Sequence, residues 1–304
     1  MKRKVKILKQ CGNEEHRLFI EHLKALKYSY MSLRLYSYCL DQFDSHTKAA
    51  GVSDHAQITK QLILDYLKNL KGRGFSEASR GIYYRPLLRF FAYLEERQKI
   101  FLNPTMGISL ITPCKLPVVA SESEISKMLE APDTEKPKGL RDKAFLELLY
   151  STGMRREEII SLNLSDINMD EATVRVVGKG EKERILPIGK SALHWLAKYI
   201  KTARVELMEE AESKALWVKH GGGRIGYDFV QAMINQCRDK AGIKRKLACH
   251  DFRRAFATHM LQRGASPVDV QHLLGHADFS HLRKYLRLTI ADLKNVHSES
   301  RVSQ

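Results

Sequence analysis

Apolar residues recur three and four positions apart through the first hundred residues, the spacing of a helix that buries one face. Leu18, Phe19, Leu23 and Leu26 predict a helix over Glu14 to Leu26. A second carries Leu33, Tyr36, Leu40 and Phe43 after a cap at Ser29 or Ser32, and gives way to the polar stretch Thr47 to Asp54. A third fits Thr59 to Leu70, with Gly72-Arg73-Gly74 as its stop. A fourth starts near Ser76 and carries Ile82, Leu87, Phe90, Phe91 and Leu94, with Arg80, Arg85 and Arg89 interleaved. Those three arginines make either a solvated face or a face that tracks phosphates and binds DNA.

The helical period lapses from Asn103-Pro104 to Pro117, where three prolines and a glycine suit an extended linker over 103–117. Beyond Val118, Ser121 or Ser123 with Glu124 offers a helix start, and Gly139 to Tyr150 forms an apolar helix with Phe145, Leu148 and Leu149 on one side and Gly153 as its stop. The period then changes to two. Ala172 to Val177 alternates, Gly178-Lys179-Gly180-Glu181 turns, and Arg184-Ile185-Leu186-Pro187 returns, which predicts a β-hairpin with Lys179 at its tip. Helices follow at Ser191 to Lys201, Tyr227 to Ala241, Arg253 to Arg263 and Val268 to Leu274, and Gly221-Gly222-Gly223-Arg224 reads as a flexible turn. The fold class is mainly α with a small antiparallel β-sheet.

At 304 residues the chain is long for one core, and two domains are expected. The basic start, Met1 to Lys6, has no apolar stretch behind it and reads as a flexible basic arm over 1–13. Five scattered cysteines do not make a disulfide framework, so a reducing, cytoplasmic setting is expected, and since no apolar run approaches the ~18 residues a membrane span needs, no membrane association is expected. A net charge of +16 changes the picture most: surplus cations favour a polyanionic partner, because neutralising phosphates releases counterions. Nucleic acid is the leading partner.

Against that background, a few residue types converge on one reaction. Phosphodiester cleavage needs a nucleophile, donors for the non-bridging oxygens and an acid for the leaving oxygen. Arg155 and Arg253 each offer a planar fork of N–H donors that matches phosphate. Cys249, His250, His259, His272 and His276 cluster in sequence but lack metal-ligand spacing, so neither a metal nor any other cofactor is expected.

In order, Thr152-Gly153-Met154-Arg155, Gly178-Lys179-Gly180, His250-Asp251-Phe252-Arg253, Leu274-Gly275-His276 and Tyr285 resemble the motifs of the tyrosine recombinases (phage integrase family), most like the Xer recombinases within it. The likeness covers most of the chain. Upstream, Ser29, Ser32 and Tyr36, the Phe90-Phe91 helix and Asn103-Pro104 resemble the family's core-binding domain. His281 and Leu282 stand where the family often has two threonines, and Arg254 where Xer proteins commonly have histidine.

The resemblance implies a helical, SAM-like core-binding domain over 14–102 and an α+β catalytic domain over 118–288. It assigns Tyr285 as nucleophile, Arg155, Arg253 and His276 to the non-bridging oxygens, Lys179 rather than Lys182 as acid, His250 to proton transfer and Glu158 as companion of Arg155. Lys182 and Arg184, on the same hairpin, are expected to contact DNA. The implied activity is site-specific recombination through a 3′-phosphotyrosyl intermediate, either in integration and excision of a mobile element or in dimer resolution. The implied partner is double-stranded DNA with paired inverted half-sites, held two duplexes at a time by a homo-tetramer in the nucleoid. The tail, 289–304, packs at home or is donated to a neighbour. The rival readings are a type IB topoisomerase-like enzyme and an inactive DNA-binding regulator.

Overall fold

The computed structural model describes residues 13–110, 118–178, 183–209 and 211–275. Lys179, Lys182, His276 and Tyr285 lie outside them, as do the arm over 1–12 and the tail over 289–304. The chain divides into two compact units between Lys115 and Leu116.

In the first unit four helices follow one another: α1 (Glu14–Ala25), α2 (Tyr30–Ala49), α3 (Lys60–Gly72) and α4 (Glu77–Glu96). A 3-10 turn, His55–Gln57, precedes α3. Each helix start has a side-chain cap. Asn13 accepts from the N–H of Glu15, Ser29 from Ser32, Thr59 from Leu62 and Ser76 from Ser79, so the polar residue ahead of each apolar run sets where the helix begins. Asn13, expected to end the arm, therefore belongs to α1.

Phe19, Leu40, Phe43, Tyr66, Leu87, Phe90 and Phe91 close into the core of this unit. Ile82, expected among them, is exposed, while Tyr84 is buried. Five residues before Leu87, Ile82 points about 140° away around the helix, whereas Tyr84, Leu87, Phe91 and Leu94 follow one stripe. Pro86 sits inside α4 and removes the N–H that would bond to the Ile82 carbonyl. The Cys39 thiol of α2 reaches that carbonyl at 4.0 Å.

The stretch expected as linker is not extended at its start. Asn103 Oδ1 accepts from both the N–H and the hydroxyl of Thr105, and the Tyr84 hydroxyl lies 3.2 Å from the carbonyls of Thr105 and Ile108. This Asx turn folds the chain back onto α4.

The second unit opens with α5 (Glu122–Glu130), where Ser121 and Glu124 exchange hydrogen bonds in a capping box. Next come α6 (Pro137–Thr152), the six-residue α7 (Arg156–Ser161) and a 3-10 turn at Leu164–Asp166. Three strands, β1 (Ile167–Asn168), β2 (Thr173–Val177) and β3 (Glu183–Pro187), form an antiparallel sheet in the order β1-β2-β3, with Val174 opposite Leu186. Helices α8 (Lys190–Lys201), α9 (Ala203–Met208), α10 (Tyr227–Lys240), α11 (Cys249–Gln262) and α12 (Pro267–Leu274) complete the described part.

Helix α6 is central and packs against α5, α8, α9 and α11. It was expected to bury one side, yet Leu140, Ala144 and Leu146 are buried as well as Phe145, Leu148 and Leu149. Its buried charges are paired: Lys143 with Glu147 at 2.7 Å, and Arg141 with Asp142 at 2.8 Å. Trp217 stacks on Tyr199 beneath it. The glycine turn is pinned rather than free, because Arg224 donates to the carbonyls of Ile160 and Leu162. Among the described residues no helix is long and apolar enough to cross a membrane.

Candidate active site

The site is built where α6 ends. Gly153 stops the helix in the left-handed region, φ 59°, and a Cβ there would come within 2.4 Å of Phe256 on α11. Only glycine fits both the conformation and the packing. The chain then turns through the buried Met154 to Arg155, which caps α7 with its backbone extended and its side chain 41 % exposed.

Glu158, one turn into α7, is the hub. Its carboxylate accepts from the N–H of Arg155 at 2.8 Å, from the Arg155 guanidinium at 2.8 Å and from both Nη atoms of Arg184 at 2.9 and 2.8 Å. The side chain is only 4 % exposed. Burial pushes the Glu158 carboxyl up, but the hydrogen bonds from Arg184 and from the Arg155 backbone and side chain outweigh it and bring it down to about 2. Glu158 is therefore a fixed anion that orients two cations.

Arg253, in the second turn of α11, is 1 % exposed and donates to the Gly153 carbonyl at 2.7 Å. The helix was expected to start here. It starts at Cys249 instead, because the Asp251 carboxylate reaches back to the Ala248 N–H at 2.8 Å and serves as the cap. His250 thus lies on the exposed face of the first turn.

Three arginines from three separate segments meet the end of α12. Arg184 Nε donates to the Leu273 carbonyl at 3.2 Å, Arg253 Nη2 to Leu274 at 2.7 Å and Arg155 Nη2 to Gly275 at 3.0 Å. A helix C-terminus leaves carbonyls without intrahelical partners and carries partial negative charge, so guanidiniums suit it. Gly275 ends α12 in the left-handed region, φ 61°, and a Cβ there would come within 3.1 Å of the Arg184 guanidinium. Three cations against one carboxylate leave the cluster positively charged, which favours an anion at its open edge.

Of the expected site residues, Arg155, Arg253 and Glu158 are brought together, and His250 lies three residues before Arg253 on the same helix. Lys179, Lys182, His276 and Tyr285 fall outside the described residues. Arg184 differs from its expectation. It is committed to Glu158 and Leu273 with its side chain 15 % exposed, instead of facing outward for DNA. Strand alternation carries the signal for this: Leu186, two residues on, is buried, so Arg184 shares the inner face. On α4, Arg85 and Arg89 are exposed and one turn apart, and Arg89 lies over the Tyr28 ring at 5.5 Å. Arg80 is turned inward, 13 % exposed and 3.6 Å from Glu77. Cys249 is buried and its thiol is pushed up to about 12 by that burial, and the buried His259 is held at Nδ1 by the Tyr150 hydroxyl at 2.9 Å.

Residues 119–291 match the profile of the phage integrase family. The chain is 33 % identical over 289 residues to the tyrosine recombinase XerD of Staphylococcus aureus (strain Mu50), covering 94 % of this chain and 97 % of that one. It is 35 % identical over 241 residues to the tyrosine recombinase XerD of Pseudomonas putida, 79 % of this chain and 81 % of the other. In fold it is similar to the XerH site-specific recombinase bound to its palindromic difH substrate, with a TM-score of 0.79 at 21 % identity over 98 % of this chain and 89 % of that one. Fold and site together define a tyrosine recombinase. The chain belongs to the phage integrase family. It is a site-specific recombinase, and these relatives do not favour the topoisomerase-like or inactive readings.

Proposed function

We propose that the chain binds duplex DNA at paired inverted half-sites and recombines it through a covalent bond to Tyr285. The tyrosine oxygen bonds to the scissile phosphorus as the bond to the 5′ oxygen breaks, and that oxygen leaves as a hydroxyl with a proton from Lys179. Arg155, Arg253 and His276 hold the non-bridging oxygens as charge builds on them, and His250 assists proton transfer. Attack by a new 5′ hydroxyl reverses these steps and needs no ATP, because the phosphotyrosyl bond retains the energy of the phosphodiester.

One observation carries this reading. Arg155 and Arg253, far apart in sequence, donate to the adjacent carbonyls of Gly275 and Leu274, immediately before His276. Two of the proposed phosphate ligands thus bond to the chain directly ahead of the third in sequence. Glu158 holds Arg155 so that its exposed edge meets the phosphate already oriented.

In this reading the first unit is the core-binding domain, with Arg85 and Arg89 on phosphates, and the second is the catalytic domain. Four copies hold two duplexes in the nucleoid, coupled by a C-terminal tail donated between neighbours. XerH in complex with a palindromic substrate supports the DNA arrangement by its likeness in fold.

The test uses a nicked duplex that bears a half-site recovered by binding selection with the full chain. Wild type should trap a covalent protein–DNA complex. Tyr285→Phe should retain duplex binding and trap none, and lasting covalent product in that variant overturns the assignment.

A further inference from the structure

The first unit holds a second group of reactive side chains, none of which the proposed reaction uses. His16 in the first turn of α1, Asp44 on α2 and His55 at the start of the 3-10 turn are 0 %, 8 % and 5 % exposed. One ligand atom from each lies within 4.8 Å of the others. Asp44 Oδ1 is shared: His55 Nε2 is 3.3 Å from it and His16 Nε2 3.4 Å. The two rings stack with centroids 5.2 Å apart, and the edge of Phe90 closes the apolar side against both.

Hydrogen bonding accounts for only part of this. His55 sets Nδ1 on the Glu15 carboxylate and Nε2 on Asp44. His16 makes no hydrogen bond at either ring nitrogen, although it is fully buried and lies between Asp44 and Asp41, whose Oδ1 is 3.9 Å from its Nδ1. A buried imidazole without a partner is costly. A proton on His55 would satisfy that ring and leave His16 as it is.

We propose that His16, Asp44 and His55 bind a divalent cation of the zinc class. Metal–ligand distances of about 2.0–2.1 Å in a tetrahedron separate neighbouring ligand atoms by about 3.3–3.4 Å, the separation that both Nε2 atoms keep from Asp44 Oδ1. Imidazole with carboxylate is a set that suits zinc. The outer contacts fit as well: Glu15 and Asp41 face the remote Nδ1 atoms, as carboxylates behind metal-bound histidines do. Asp44, Glu15 and Asp41 gather three carboxylates around the two rings, a charge that favours a cation, and water takes the fourth corner. The ion ties the start of α1 and the 3-10 turn to α2, so its role is structural. His16 and His55 are too far apart in sequence to form a recognisable ligand motif, and only the helix packing brings them together.

The test takes the full chain, stripped by chelator and desalted. One zinc per chain should return and survive gel filtration, and zinc at a hundredfold its Kd should raise the first unfolding transition by at least about 5 °C. Cobalt in its place should give the visible bands of a four-coordinate site. His16→Phe removes only a nitrogen ligand and keeps an apolar ring beside Phe90, so it should fold and lose the zinc. Asp44→Asn should lose it too, while His220→Gln, at an exposed histidine on Glu209, should keep it. No zinc uptake and no thermal shift in the wild type, or full uptake by folded His16→Phe, overturns the proposal.

Discussion

Arg184 and Glu158 meet as matched forks, Nη1 on Oε1 at 2.9 Å and Nη2 on Oε2 at 2.8 Å. The pair joins the returning strand of the hairpin to the short helix that presents Arg155, and Arg184 continues to the end of α12 through the Leu273 carbonyl. One carboxylate thereby fixes the relative positions of three segments. A buried ion pair of this geometry need not add net stability over an apolar pair, but removing one partner strands the others.

Stability should follow the ionisation of Glu158. Its carboxyl titrates near 4.5 when unfolded and at about 2 when folded. A depressed folded value means the contribution is fully present above pH 4.5 and is lost as pH falls through about 2, on the order of 3 kcal/mol in all. Urea unfolding of wild type and Glu158→Gln should differ by about that amount at pH 7, and the gap should close toward pH 2. A gap that stays constant with pH would show that the carboxylate charge is not what stabilises the cluster.

Arg155→Lys should lose nearly as much cleavage as Arg155→Ala, at least about a hundredfold in rate. An ammonium cannot donate to Glu158 and Gly275 and still present a planar edge to phosphate. Single-turnover cleavage of the nicked duplex measures this, and near wild-type rates in the lysine variant would refute the role.

Lys179→Ala should block cleavage when the leaving atom is a 5′ oxygen and recover when that atom is sulfur, since a thiolate departs without a general acid. Equal losses on both substrates would assign Lys179 to binding, and Lys182 would then be examined in the same way.

Truncation after Thr289 should spare folding and single half-site binding but reduce cooperative binding to paired half-sites, together with recombination. Gel-shift titrations on one and two half-sites separate these effects. Normal assembly by the truncated chain would exclude donation of the tail.

Local sequence determined much of this protein. Ser29, Thr59, Ser76 and Ser121 fix helix starts because a cap acts within three residues, and Gly153 fixes a stop because only a left-handed residue fits there. The hairpin was legible because alternation has a period of two over five residues on each strand. The six-residue α7 and α9 and the two-residue β1 were not, being too short for any period to show. Motif order alone named Arg155, Glu158 and Arg253. What those arginines hold was decided only by tertiary structure: Gly153 O, Leu274 O and Gly275 O are backbone atoms that every residue has, so no residue type marks them in the sequence. The same holds for Arg184, whose charge reads as a surface feature until packing sets it against a buried carboxylate, and for His16 and His55, which become neighbours only when α1 and the 3-10 turn close on α2.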